Sequence, residues 1–152
     1  MVAGVRAPGG QDIPQFAAHA AGLVSAGADL LAITGQETSA ARVSPVAAAA
    51  VLRERAGADV MIDIETAGRS LAALQADLLG GYALGVQTVV CRSGTPAAAG
   101  DYPEPYWIGE VDSVRLIAAL ATLNDGADWR GVPRPTGPAS WWARACTPRL
   151  PT

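Results

Sequence analysis

The sequence contains no lysine, so all 11 of its basic residues are arginine. Aspartate and glutamate number 14, which gives a formal net charge of −3, and no stretch of the chain gathers the arginines into a basic cluster. Proteins that bind DNA or RNA neutralise phosphates with such clusters. This composition therefore argues against nucleic acid as a partner.

Long apolar runs and closely spaced cysteines are also missing. No apolar run approaches the ~18–20 residues of a membrane-spanning helix, and residues 1–10 lack the charged and apolar regions of a secretory signal. The two cysteines, Cys91 and Cys146, are too far apart in sequence to show the spacing of metal ligands. We therefore expect a cytoplasmic protein with reduced thiols and no membrane segment.

Short apolar segments alternate with amphipathic ones along the 152 residues, which predicts βαβ units and a parallel sheet. Strands are predicted at 2–6, 30–34, 60–64 and 88–92. Helices are predicted to begin near Asp12, Ser44, Ser70 and Asp112 or Ser113, with glycine stops at Gly27, Gly57 and Gly126. Two α/β architectures have about four such units: a small open doubly wound sheet, or a partial (β/α)8 TIM barrel, which is complete with eight units in ~250 residues.

Apolar residues at helical spacing predict which side of each helix is buried. The expected inward residues are Phe16, Ala20, Leu23 and Val24 in the first helix, Val46, Ala50 and Val51 in the second, Leu71, Leu74 and Leu78 in the third, and Val114, Ile117, Leu120 and Leu123 in the fourth. Asp12 and Gln15 are expected to form a capping box at the start of the first helix. The strand at 30–34 is expected to be buried on both faces.

Polar residues follow three of the predicted strands, at 34–37, 63–66 and 92–95. Ligands of parallel α/β proteins bind at these carboxyl ends of strands. Asp63 and Glu65 form a candidate carboxylate pair for acid/base chemistry. The alternative is structural: one carboxylate points into the sheet layer or a hydrogen bond, and the other caps the next helix.

Ser93, Gly94 and Thr95 form a second candidate site. Glycine permits a close approach of the backbone to a phosphate or a flavin, although an ordinary turn has the same composition. The lysine and the glycine spacing of a P-loop are missing. Either a ligand contact or a turn is therefore expected here.

Other chemically distinctive residues are few. His19, the only histidine, is expected on a helix surface or in packing rather than in catalysis. The long loop after the fourth strand carries aromatic residues that either stack on a flat ring or belong to a disordered segment: Tyr102, Tyr106 and Trp107.

Residues 74–86 read LQADLLGGYALGV, which resembles the helix LQSDLLGAHALGI of bacterial methylenetetrahydrofolate reductases, notably those fused to homocysteine S-methyltransferase. Three shorter segments resemble the same family: 100–103 (GDYP), 111–114 (VDSV) and 123–126 (LNDG). Weaker similarity reaches back to Pro8 and forward to about Pro133. We therefore interpret 1–133 as a partial barrel of this type and 134–152 as an irregular tail.

The resemblance implies a (β/α)8 barrel in which FAD passes a hydride from NAD(P)H to 5,10-methylenetetrahydrofolate, giving 5-methyltetrahydrofolate. It implies that the cofactor is bound by Asp63, Glu65, Ser93, Gly94 and Thr95. Because half a barrel leaves strand edges unpaired, a homo-oligomer or a partner chain that completes the barrel is also implied.

Several positions differ from the family pattern. The family's acidic proton donor ends the first strand, where this sequence has Gly4, so no residue is assigned a catalytic role. Asp63 and Glu65 stand where the family motif HLTCRDRN has a histidine and a threonine that contact the flavin, and Thr95 replaces the aspartate of its TGD motif. A carboxylate repels the diphosphate of FAD. The alternatives to an enzyme are a non-catalytic folate- or flavin-binding or regulatory subunit, and a gene remnant.

The tail departs from the family pattern after Pro135 and Thr136, at 139–149. One hypothesis is a frameshift, because GC-rich codons for this stretch encode a family-like strand when they are read in another frame. The alternative treats Trp141 and Trp142 as a packed C-terminal anchor. Sequencing of the locus distinguishes the two.

Overall fold

The computed structural model describes residues 1–10, 12–34, 41–94 and 111–133, together with the backbone of 144–146. Strands and helices alternate through these residues, as the sequence predicted. They are β1 Val2–Arg6, α1 Ile13–Ser25, β2 Leu30–Thr34, α2 Pro45–Ala56, β3 Val60–Glu65, α3 Leu71–Ala83, β4 Thr88–Arg92, α4 Ser113–Asn124 and β5 Arg144–Cys146. The α/β class is confirmed, and β1, β2 and β4 have the predicted bounds.

The strands lie side by side in the order of the sequence, β1-β2-β3-β4-β5, and every neighbouring pair is parallel. A doubly wound sheet reverses its strand order at a switch point, and no reversal occurs among the described strands. When each crossover is right-handed, a sheet that grows in one direction carries its connecting helices on one face. The doubly wound alternative therefore does not describe this sheet.

One face of the sheet, the covered face, packs against the helices. Neighbouring strands align Val5 with Ile33, Ile33 with Ile62, and Ile62 with Val89. All four are buried in one apolar cluster that also contains residues of α1 to α4. Each helix contacts the next along the chain, α1 with α2, α2 with α3, and α3 with α4. The core is thus a single layer between the sheet and a row of helices.

The other face, the open face, carries the alternate residues of each strand. One row of it aligns Gly4, Ala32, Met61 and Thr88. Within the described residues no helix packs on this side, and Ala32 is half-buried while Thr34 is exposed. The prediction that β2 is buried on both faces is therefore wrong, because its second face lacks a helix layer.

Side-chain caps start three of the four helices as the sequence predicted. Ser44 accepts from the backbone N–H of Ala47 at 3.2 Å, Ser70 from Ala73 at 3.3 Å, and Asp112 from Arg115 at 2.7 Å. These are N-cap contacts that satisfy otherwise unpaired helix donors.

The capping box predicted at Asp12 is not formed. Asp12 holds the N-cap position of α1, but its side chain makes no cap hydrogen bond. Its backbone, at φ −100° and ψ 21°, lies outside the extended conformation that lets a cap side chain fold back onto the first turn.

The buried sides of two helices differ from the predictions. The buried residues of α2 are Pro45, Ala48, Ala49 and Leu52, whereas Val46, Ala50 and Val51 are half-buried. In α4 the buried residues are Leu116, Ala119, Leu120 and Leu123, whereas Val114 is 69% exposed. Apolar residues occur on several sides of both helices, so spacing alone could not select the one that meets the sheet.

In α3 and α1 the buried side agrees more closely with the prediction. Leu74 and Leu78 of α3 and Phe16 and Ala20 of α1 are buried. Leu71, Leu23 and Val24 are half-buried at the margin of the same core.

The tail contains a strand that the sequence did not predict. Arg144–Cys146 pairs in parallel with β4, and Thr88 is aligned with Arg144. Trp141 and Trp142 lie outside the described residues, as do Thr95 and the three aromatic residues of the long loop. Over the helices that are described, none combines the length and apolarity required to span a membrane.

Candidate functional site

Three charged side chains meet on the open face at the carboxyl ends of β3 and β4. Asp63 and Glu65 are two residues apart on β3 and therefore point to the same side of the sheet. Arg92, the last residue of β4, is aligned with Glu65. The parallel sheet thus places an arginine next to the carboxylate pair that the sequence had singled out.

The two carboxylates share the guanidinium of Arg92. Arg92 Nε donates to Oδ1 of Asp63 at 2.9 Å and lies 2.8 Å from Oδ2, while Arg92 Nη2 lies 3.6 Å from Oε2 of Glu65. Asp63 is 8% exposed and Glu65 7% exposed. Counted by themselves, the two buried carboxylates and the Arg92 guanidinium, which is 38% exposed, carry a formal charge of −1.

The structural alternative for the carboxylates is right in one part and wrong in the other. Asp63 accepts a hydrogen bond from Arg92, and Glu65 forms an ion pair with the same guanidinium. Neither caps the next helix, because Ser70 caps α3. An acid/base role for the pair stays a prediction.

Gly94 lies so close to Glu65 that a side chain at this position would require the Glu65 side chain to move. Its φ of +71° lies in the left-handed region, which favours glycine. A Cβ added at Gly94 would overlap the carboxylate and Cγ of Glu65. For Gly94 the sequence left open a contact with a phosphate or a flavin and an ordinary turn; in the structure a carboxylate of the same chain lies against it.

Hydrogen bonds between Thr66 and the Arg92–Ser93 backbone join the carboxyl ends of β3 and β4. Thr66, which is 1% exposed, donates from its backbone N–H to the Arg92 carbonyl at 2.9 Å and from Oγ1 to the Ser93 carbonyl at 3.0 Å. Ser93 Oγ accepts from the backbone N–H of Ser113 at 3.1 Å, which brings the start of α4 to the same place. Sequence reasoning gave Thr66 no role, although its position after a buried strand marked it as a strand-end residue.

Cys91 is a free and fully buried thiol on the covered face, one residue before Arg92. Burial raises the pKa of this thiol to about 11, and the nearby Asp63 carboxylate adds to the rise. A thiol of this kind stays protonated at neutral pH and is a poor nucleophile. Cys91 is thus part of the core beneath the site.

The remaining candidates lie apart from this group. Gly4 is on β1, in the row of the open face that contains Met61, and nothing lies within 4 Å of the place where its Cβ would be. His19 is exposed on α1, which confirms the predicted surface position. Thr95, the last residue of the second candidate site, falls outside the described residues.

FAD, the cofactor that the resemblance implies, does not fit the described part of this site. Its diphosphate would meet two buried carboxylates, Asp63 and Glu65, with one guanidinium between them. The space over the Gly94 backbone, where a phosphate could approach, is filled by Glu65. That Asp63 and Glu65 repel a diphosphate stays a prediction.

No protein-family model matches the chain, and no curated protein does. The resemblance to methylenetetrahydrofolate reductases therefore depends on the sequence segments that carry it.

Proposed function

We propose that the protein is a cytoplasmic, divergent relative of the methylenetetrahydrofolate reductases that binds a reduced folate at the carboxyl ends of β3 and β4 without holding FAD there. The observation that carries this function is the buried group formed by Asp63, Glu65 and Arg92 on the open face. The family itself is suggested by the LQADLLGGYALGV segment, which lies mostly in α3.

The scaffold in this proposal is about the first half of a (β/α)8 barrel. Parallel strands in sequence order with helices on one face are the arrangement that half of such a barrel would have. The open face then corresponds to the barrel interior, and a second copy or a partner chain covers it. Ligands of these barrels bind at the carboxyl ends of the strands, where Asp63 and Glu65 lie.

The chemistry of a folate suits two buried carboxylates. The pterin ring of a reduced folate presents adjacent N–H donors on its ring nitrogen and its exocyclic amine, and a carboxylate can accept both in the paired geometry that it forms with arginine. Each carboxylate has about four acceptor positions, so Asp63 retains capacity beside its contacts with Arg92 Nε. Burial strengthens such hydrogen bonds, because water does not compete for the partners.

Reduction of the folate is not carried over from the family. Gly4 stands at the position of the acidic proton donor, and Glu65 occupies the space beside Gly94 that a diphosphate would need. We therefore expect a folate-binding protein without reductase activity, which corresponds to the non-catalytic subunit among the alternatives above.

Titration of the full chain with 5-formyltetrahydrofolate, a stable reduced folate, tests this function by calorimetry. Wild-type protein is expected to bind it, and Glu65→Gln and Asp63→Asn are each expected to weaken binding by about tenfold, the equivalent of one charge-assisted hydrogen bond. Glu54→Gln is the matched control, because Glu54 is exposed on α2; it should bind as the wild type does.

A parallel titration with FAD distinguishes binding from catalysis. The protein is expected to stay without the flavin absorbance band at about 450 nm and not to oxidise methyltetrahydrofolate with an artificial acceptor. Absence of folate binding would contradict the proposed function. Bound FAD together with methyltetrahydrofolate oxidation would favour a working reductase instead.

A further inference from the structure

We propose that Glu65 is the specificity-determining residue of the site at the carboxyl ends of β3 and β4, because it fills the space over Gly94 with negative charge and so excludes phosphate groups from that space. This deepens the proposed function, since it concerns the same site and states which class of ligand the site rejects. The shape and charge of the described residues carry it, whichever folate binds.

The steric part follows from the contact between Glu65 and Gly94. A methylene-sized atom on Gly94 would already overlap the Glu65 side chain. The carboxylate therefore lies directly over the backbone at the end of β4. In parallel α/β proteins this is a place where backbone groups approach phosphates. Here the space is taken before any ligand arrives.

The electrostatic part follows from the sharing of Arg92. With Asp63 and Glu65 both present, the group has a formal charge of −1. Loss of the Glu65 charge brings the group to neutrality and leaves the guanidinium with Asp63 as its nearer acidic partner, at 2.8 Å. An anion then meets less repulsion near the Nη2 side of Arg92, which lies 3.6 Å from Glu65 in the wild type.

The walls of this space are held in place independently of Glu65. Thr66 joins the end of β3 to β4 through hydrogen bonds of 2.9 and 3.0 Å to the carbonyls of Arg92 and Ser93. Ser93 in turn accepts from Ser113 at the start of α4 at 3.1 Å. None of these three hydrogen bonds involves the Glu65 side chain, so we expect Glu65→Ala to keep the ends of β3 and β4 joined.

Inorganic pyrophosphate is the probe that tests the exclusion, in calorimetric titrations of the full chain at low salt. Glu65→Ala removes both volume and charge and is expected to raise the affinity for pyrophosphate by about tenfold or more over the wild type. Glu65→Gln keeps the volume, removes the charge and is expected to give a smaller gain. Because its shape is nearly that of glutamate, Glu65→Gln keeps the test decisive if Glu65→Ala fails to fold.

Glu54→Gln makes the same charge change on the exposed side of α2 and should leave pyrophosphate affinity at the wild-type value. The inference is overturned if neither Glu65 variant gains affinity, if Glu54→Gln gains as much, or if the wild type already binds as tightly as Glu65→Ala. Titration of the same proteins with 5-formyltetrahydrofolate separates the proposed folate binding from the exclusion by Glu65. A wild type that ignores folate while Glu65→Ala binds pyrophosphate refutes the folate function alone.

Discussion

Arg92 on β4 reaches across to Asp63 on β3, with its Nε 2.9 Å from Oδ1, and so neutralises a carboxylate that is 8% exposed. The same guanidinium lies 3.6 Å from Glu65. Burial of a carboxylate without a partner costs several kcal/mol. Arg92 therefore makes it possible for β3 to end in two acidic residues inside the fold.

Replacement of Arg92 by glutamine is expected to lower the free energy of unfolding by about 2 kcal/mol. The value is below the ~3–5 kcal/mol of a fully buried pair, because the Arg92 side chain is 38% exposed and solvent screens part of the interaction. Urea unfolding measures the loss. Arg55→Gln, on the exposed side of α2, removes the same charge and should change stability by no more than about 0.5 kcal/mol. Equal stability of the two variants would show that Arg92 does not support the carboxylates.

Gly94→Ala is expected to destabilise the protein through its clash with Glu65. The matched control is Gly131→Ala, because Gly131 has a similar φ, +77° against +71°, and nothing within 4 Å of its added Cβ. Both variants carry the strain of a left-handed alanine, about 1 kcal/mol. Gly94→Ala should lose about 1–3 kcal/mol more, the usual cost of overpacking. Glu65→Ala in the Gly94→Ala background should recover most of that difference, and no recovery would place the clash elsewhere.

Sequence signals predicted those parts of the fold that depend on near neighbours. Ser44 precedes a proline and caps α2, and Gly57 ends the same helix with φ +61°, because caps and stops act within one turn. The buried side of α2 was not predictable in this way. Ala48 and Ala49 face the core while Val46 is half-buried, and only the packing of α2 on β3 and its neighbouring helices selects between them.

The candidate site was predictable to a similar extent. Alternation along a strand is enough to place Asp63 and Glu65 on one face. These two residues and Ser93 were selected because ligands of parallel α/β proteins bind at the carboxyl ends of the strands. The partnership with Arg92 depends on the register of β3 against β4, and the Gly94 contact depends on the path of the chain after β4. Neither can be read from the local sequence, so Gly94 was predicted to approach a ligand where it approaches Glu65.

The helix N-caps test how far near neighbours in the sequence determine local structure. Ser44→Ala and Ser70→Ala are each expected to cost about 1 kcal/mol of stability, because each removes an acceptor for a helix N–H at 3.2 or 3.3 Å. Asp12→Ala should cost less than about 0.5 kcal/mol, since Asp12 holds the N-cap position without a side-chain cap bond. Thermal or urea unfolding of the three variants measures the contrast. An equal loss at Asp12 would mean that the capping box forms in solution.

Cys91 makes stability depend on pH in the alkaline range. Burial raises the pKa of its thiol in the folded protein to about 11, from an ordinary value of 9.0. Between these values the unfolded chain binds fewer protons than the folded one, so the free energy of unfolding falls as pH rises. The contribution of Cys91 to stability is fully present below pH ~9 and decreases by up to about 1.4 kcal/mol per pH unit toward pH ~11.

Cys91→Ala tests this dependence, because it keeps the buried position apolar and removes the titrating thiol. The slope of the unfolding free energy against pH, from urea unfolding at pH 8 to 10.5, should therefore be more negative in the wild type than in the variant, and only above pH ~9. Parallel slopes in the two proteins would mean that the thiol ionises as readily in the core as in water, and that the layer beneath Arg92 is open to solvent.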